Sequence, residues 1–155
     1  MARKYPKVQK ISPMVQLMQI RATYGNIESS SYGPQRFECI LNIRPSENSD
    51  QYRVKVKYRI GKYPEAWLLS PAIQQYDGKY PHHIYEYDSE HHPRLCVFFP
   101  DYKEWTGTML ISKTFIPWIS TWLNAYEYWQ ITGVWHYDES PRRKKQSEVH
   151  SKAAV

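Results

Sequence analysis

The sequence predicts a single α+β domain, with an N-terminal helix laid over an antiparallel meander and an aromatic helix closing the chain. Three observations carry that reading. A capped segment with an apolar stripe begins at Ser12, strand-like runs separated by turn signals fill Arg36–Pro71, and aromatics recur at helical spacing from Phe115. At 155 residues the chain has the length of one domain and can bury a core without covalent staples.

The opening helix spans Ser12–Gly25, "SPMVQLMQIRATYG". The Ser12 hydroxyl can accept a bond from an orphan amide, and Pro13 suits a first turn whose N–H has no partner anyway. Met14, Leu17 and Met18 form the stripe, and Gly25 is the expected stop. "ESSSYGP" (Glu28–Pro34) reads as a loop. Next, "RFECILNI" places Phe37, Cys39, Leu41 and Ile43 on one face. In "YRVKVKYRI" the separation is complete: Tyr52, Val54, Val56, Tyr58 and Ile60 on one side, Arg53, Lys55, Lys57 and Arg59 on the other. That is an antiparallel strand with one buried and one solvated face. "PSENSD" and "GKYP" supply the turns, and "EAWLLSP" is a short third strand.

Residues 72–111 lack periodicity and are rich in Tyr, His, Pro and Asp, so the stretch is either functional or contains elements that the pattern does not reveal. Beyond them, Phe115, Trp118, Ile119, Trp122, Tyr126 and Trp129 share one helical face. Pro117 fits the first turn and Gly133 the exit. The stripe reads as core, packed on the sheet or on the cysteine loop.

Charge weighs against one class of function. The net +6 is concentrated at the ends: residues 1–10 and 141–155 carry +4 each, leaving the rest slightly acidic at −2. The body, 11–138, therefore lacks the basic footprint of a nucleic-acid-binding domain, and the ends 1–10 and 139–155 read as basic, solvated tails. No apolar run approaches a bilayer span, and "MARKYPKVQK" has no signal-peptide core. Cys39 and Cys96 make no disulfide framework, so two free thiols in a reducing cytoplasm are expected, with no membrane partner.

The chemistry centres on "HHIYEYDSEHHPRLCVFF" (His82–Phe99). His82, His83, His91, His92 and Cys96 could all bind zinc, with Glu86 or Glu90 as a hydrolytic base, but no paired metal-ligand spacing is present. Cys96 could equally be a small buried hydrophobe in a "LCVFF" strand, as Cys39 is in its own. Or Cys96 could be a nucleophile that carries an acyl group as a thioester. Spacing leaves all three open.

The combination "PHHIY…RLCVFFPDYKEW…IPWISTWLNAYEYWQITGVW" resembles the short ubiquitin-conjugating-enzyme-like proteins of bacterial type II CBASS anti-phage operons. The elements that carry the resemblance are His83-Ile84-Tyr85, Leu95-Cys96, Trp105, Pro117-Trp118, Tyr126-Glu127-Tyr128-Trp129 and Thr132-Gly133-Val134-Trp135, within Met14–Trp135. The resemblance implies a ubiquitin-conjugating (UBC-like) fold over 11–138, whose helix–meander–loop–helix order agrees with the reading above. It implies Cys96 as the acyl-accepting nucleophile, and it places His83 where eukaryotic relatives open a histidine–proline–asparagine motif. This chain has neither that proline nor that asparagine, and it inserts "EYDSEHHPR" before the cysteine region. An oxyanion donor would then be His82, His83 or a backbone N–H. Tyr85 and Trp105 would support the cysteine loop. The implied partner is the operon's cGAS-like nucleotidyltransferase, its C-terminus held as a thioester and passed to an amine. No metal or cofactor is implied, and no nucleotide-binding glycine loop is present. The alternatives are a non-catalytic scaffold of the same fold, a zinc-binding module and a nucleic-acid-binding module.

Overall fold

A computed structural model describes residues 7–136. Six antiparallel strands form one sheet: β1 (Ile27–Tyr32), β2 (Arg36–Ile43), β3 (Tyr52–Arg59), β4 (Glu65–Ser70), β5 (Ile84–Tyr87) and β6 (Pro93–Leu95). Their spatial order is β1-β2-β3-β4-β6-β5, so the β5–β6 hairpin folds back and joins the meander through β6. Helix α1 (Pro13–Thr23) precedes the sheet and α2 (Phe115–Thr132) follows it, with short 3-10 turns at Pro100–Tyr102 and Ile111–Lys113. The expected α+β architecture is present. The basic tails fall mostly on residues 1–6 and 137–155, outside the described residues.

Alternation fixes the inner sheet face as expected. Phe37, Cys39, Leu41 and Ile43 on β2, and Tyr52, Val54, Val56 and Tyr58 on β3, are all buried. Arg53 and Lys57 on the opposite face pair with Glu28 and Glu38, at 2.6 and 3.5 Å. The basic stripe is thus partly neutralised by neighbouring strands.

Two local expectations are corrected. Glu28–Pro34 was expected to be a loop, yet Ile27–Tyr32 is a strand in register with β2, Ser30 opposite Cys39 and Tyr32 opposite Phe37. A serine-rich edge strand has no buried face of its own, so no period-2 apolar signal marks it. In α1 the Ser12 cap is present, its hydroxyl accepting from the Val15 amide at 3.2 Å, but the stripe is rotated. Met14 and Met18 are exposed, and Pro13, Gln16, Leu17 and Ile20 are buried. The helix also stops before Gly25. Tyr24 turns extended and its hydroxyl donates to the Ser112 carbonyl at 2.7 Å.

Gln16 occupies a core position because both ends of its amide are used. Its nitrogen donates to the Met109 carbonyl at 2.8 Å and its oxygen accepts from the Ile111 N–H at 2.9 Å. A buried amide satisfied at both ends fastens α1 to the segment entering α2. Gln16→Ala leaves two buried backbone groups without partners, so equilibrium denaturation is expected to show a loss of about 2–4 kcal/mol.

The aromatic face of α2 contacts both surfaces proposed for it. Tyr126 meets Tyr52 edge-on at 6.4 Å, and Phe115 and Trp118 each lie 6.0 Å from Phe98, just past the cysteine. Glu127 faces the sheet's turn, accepting from Ser49 at 2.7 Å and from the Tyr52 hydroxyl at 2.9 Å. Gly133 caps α2 in the left-handed region at φ 72°, a conformation glycine adopts without side-chain strain. The Tyr76 ring fills the space a Cβ there would enter. After this turn Trp135 comes back against Trp122 at 5.1 Å.

Candidate active site

Cys96 leaves the end of β6 at the point where the hairpin meets α2. Antiparallel pairing of Ile84 with Leu95 places His83 opposite Cys96, and the Cys96 N–H donates to the His83 carbonyl at 3.0 Å. The same carbonyl accepts from the Trp122 indole N–H at 3.0 Å. Strand and helix thereby hold one oxygen between them, which sets where the cysteine backbone begins its exit. The side chain is 7% exposed, with its sulfur 3.9 Å from the Phe98 carbonyl.

The Phe98 carbonyl is a second shared acceptor, since the Tyr85 hydroxyl donates to it at 3.3 Å. Tyr85 is 45% exposed, and the Arg94 guanidinium lies 4.5 Å above its ring. Arg94 is also bonded to Glu86 at 2.7 Å. An aromatic–cation–carboxylate ladder therefore runs along the solvent side of the hairpin. Between this ladder and α2 lies a cavity of about 190 Å³, lined by the neighbours of Cys96 (Leu95, Val97 and Phe98), by Phe115, and by the charged pair Glu65 and Arg94.

The candidate residues separate on inspection. The His83 ring is half-buried between Trp135 at 5.1 Å and Phe99 at 6.4 Å, and its backbone is bonded to Cys96. His82, next in sequence, is exposed. Tyr85 reaches the residue two beyond the cysteine, its hydroxyl donating to the Phe98 carbonyl at 3.3 Å. Trp105 is buried elsewhere: it meets Tyr58 edge-on at 5.6 Å and donates to the Thr114 hydroxyl at 3.2 Å. It fixes the far end of the post-cysteine segment to β3 and to the residue before α2. Its effect on the cysteine passes through the chain between them.

His91 and His92 belong to the hairpin turn. His91 sits at φ 64° and stacks on Tyr87 at 4.3 Å. The His92 ring bonds the Asp88 carboxylate at 2.8 Å. Asp88 also accepts from the backbone amides of His92 and Glu90, each at 2.9 Å. The His92 amide foremost, with these other donors, holds the Asp88 carboxyl below its ordinary range. The insertion before the cysteine is thus a turn closed by its own side chains. No group of three His, Cys, Asp or Glu able to hold a metal occurs among the described residues.

Sequence reasoning missed the two carbonyls, His83 O and Phe98 O, around which the site is organised. Backbone acceptors carry no residue signature. Trp122 and Trp135 were visible only as members of a stripe and a motif. Cys39, by contrast, is where alternation put it: 1% exposed, its thiol pushed up to about 12 by burial.

The fold is that of an α+β domain with the Cys96 thiol at the exit of its last strand. The family model of the type II CBASS E2 protein matches residues 16–143, more than half the chain, and the protein belongs to that family. Its role accordingly is that of a CBASS E2-like protein in anti-phage defence. No curated protein matches the chain. No helix among the described residues is long and apolar enough to cross a membrane.

Proposed function

We propose that the protein is a cysteine acyl carrier of the ubiquitin-conjugating type, with a UBC-like fold. Cys96 accepts the C-terminus of the operon's cGAS-like nucleotidyltransferase as a thioester and delivers it to an amine. The placement of Cys96 carries the proposal: a thiol at a strand exit, its backbone N–H bonded to a His83 carbonyl that Trp122 of α2 also holds, and its neighbours Leu95, Val97 and Phe98 lining a recess.

In the loading step the Cys96 sulfur attacks the activated acyl carbon. A C–S bond forms, the bond to the activating group breaks, and the thiol proton passes to solvent. In transfer an amine attacks the thioester carbon. The C–S bond breaks, Cys96 regains its charge or proton, and the amine loses a proton to solvent. A thioester is activated enough for this without a strong base. The Cys96 N–H already donates to His83, so it is not the oxyanion donor. His82, exposed beside the site, is a candidate donor. His83 is a positioning residue, acting through its carbonyl and through a ring enclosed by Trp135 and Phe99. Activation of the donor carboxylate belongs to another protein.

Intact-mass spectrometry of the protein co-expressed with its operon nucleotidyltransferase tests this reading. The expected product is a one-to-one adduct, lighter by one water than the sum of its parts, and released by hydroxylamine if it is a thioester. Absence of any adduct with an active operon defeats the proposal.

The two histidines separate by kinetics. His83→Ala keeps its backbone carbonyl, so single-turnover transfer from preformed thioester is expected to slow only a few-fold while melting temperature falls. If His82 supplies the oxyanion donor, His82→Ala slows the same step by about 10²–10³ with unchanged melting temperature. Equal rates in wild type and the double variant would remove both rings from the chemistry.

A further inference from the structure

A second recess lies beyond Tyr63. It is a cavity of about 350 Å³ between three separate stretches of chain: the approach to α1 at Lys10, the β3–β4 turn at Gly61–Tyr63, and residues 103–107. Tyr58 and Trp105 line it together with Tyr63, and Lys10, Lys62 and Lys103 stand around it. No carboxylate lines it among the described side chains, and none of the three lysines makes an ion pair with a described residue. Other surface cations without an ion pair to a described residue, such as Arg44, Lys55 and Lys79, do not line this cavity, whereas these three converge on it.

Lys10 is placed by the fold. The Ile11 N–H donates to the Gly107 carbonyl at 2.8 Å, and the Lys10 stem lies across Gly107 with its ammonium close to Gly61. A side chain at position 107 would meet that stem at 3.1 Å, so the glycine makes room for it. Lys10 therefore belongs to the folded body, not to a solvated tail. In addition, the Tyr58 hydroxyl is buried with no hydrogen-bond partner among the described residues.

Tyr63 borders both cavities, and its ring meets Phe98 edge-on at 5.5 Å. Tyr63 thus stands between the recess lined by the neighbours of Cys96 and the recess at the lysines. The recess beside the neighbours of Cys96 is mixed, with Leu95, Val97, Phe98 and Phe115 next to an Arg94 that pairs with Glu65 at 3.9 Å and with Glu86 at 2.7 Å; the lysines of the second recess make no ion pair with a described residue. An elongated occupant with carboxylates at the lysines reaches past Tyr63 toward Phe98 and Cys96. A compact anion would use the lysines alone.

We infer that Lys10, Lys62 and Lys103, with the aromatic wall of Tyr58, Tyr63 and Trp105, form a docking site for an acidic segment of the protein whose C-terminus Cys96 accepts. The inference rests on the acyl-carrier reading and names the chemistry its donor must present. Unpaired positive charge in a cleft accelerates encounter with a negatively charged partner and fixes its orientation.

Two measurements test it. In the first, the full chain is titrated into a fluorescent Glu/Asp-rich peptide, its Gln/Asn counterpart, inorganic phosphate and a single-stranded oligonucleotide. In the second, donor loading onto Cys96 is followed against donor concentration. The triple variant Lys10→Glu/Lys62→Glu/Lys103→Glu is compared with a charge-matched control, Arg44→Glu/Lys55→Glu/Lys79→Glu. Loss of acidic-peptide binding and a rise of about tenfold or more in half-saturating donor are expected for the first triple only, both shrinking as salt shortens the range of the charges. The milder Lys→Gln triple gives an intermediate effect and covers any folding failure of the reversal. Wild type and reversal loading at the same half-saturation would overturn the docking site while leaving the acyl-carrier reading intact. Lysine-dependent peptide binding with no adduct in wild type would do the opposite. Preference for the oligonucleotide or for phosphate over the acidic peptide would also overturn it.

Discussion

Cys96→Ala is expected to abolish every covalent adduct with the donor protein, because the sulfur that would carry the acyl group is gone and no other thiol is within reach. Cys39, the second cysteine, is 1% exposed in the sheet core, and burial disfavours its thiolate. Cys96→Ser keeps a nucleophilic oxygen in the same place and is expected to give a slower, hydroxylamine-resistant oxyester. Cys39→Ala serves as the internal control. It removes a small buried group at a cost of about 1 kcal/mol and leaves conjugation unchanged. Mass spectrometry of the three variants in the presence of donor reads all of this at once. An adduct that survives Cys96→Ala, or one lost from a folded Cys39→Ala protein, would move the reactive thiol elsewhere.

Trp122→Ala is expected to be the most destabilising single change in α2. The indole is fully buried, stacks on Tyr126 at 5.5 Å, supports Trp135 at 5.1 Å and donates to the His83 carbonyl at 3.0 Å. Truncation removes a large apolar volume and leaves a void that the sheet and helix close only in part, for a loss of about 3–5 kcal/mol. Trp122→Phe separates packing from the hydrogen bond. It retains most of the ring area but takes the indole donor away from the His83 carbonyl, at a cost of about 1–3 kcal/mol. Urea denaturation measures both, and donor loading at a temperature where Trp122→Phe is folded shows whether that bond matters to Cys96. A stability for Trp122→Ala equal to wild type would contradict the core position of the indole.

The sequence by itself determined the elements that advertise a face. Strict alternation in Arg36–Ile43 and Tyr52–Arg59 has one solution on a half-buried sheet, because a shift by one residue would put lysines inside and valines outside. The aromatic spacing from Phe115 to Trp129 likewise has one helical reading, and Gly133 supplies the left-handed exit it required. The motifs drew attention to Cys96 and His83 as candidates. Tertiary structure decided what those residues touch. Strand β1 has no apolar face of its own and exists because β2 offers it a partner. Gln16 displaced Met14 and Met18 from the buried face of α1 because two backbone groups far along the chain needed its amide. The His83 carbonyl became a shared acceptor, and the three lysines came together from positions 10, 62 and 103, only once distant segments were folded against one another. Local pattern reports which side of an element is apolar. Hydrogen-bond satisfaction between remote segments and the pooling of charge are properties of the assembled chain, and no window of sequence contains them.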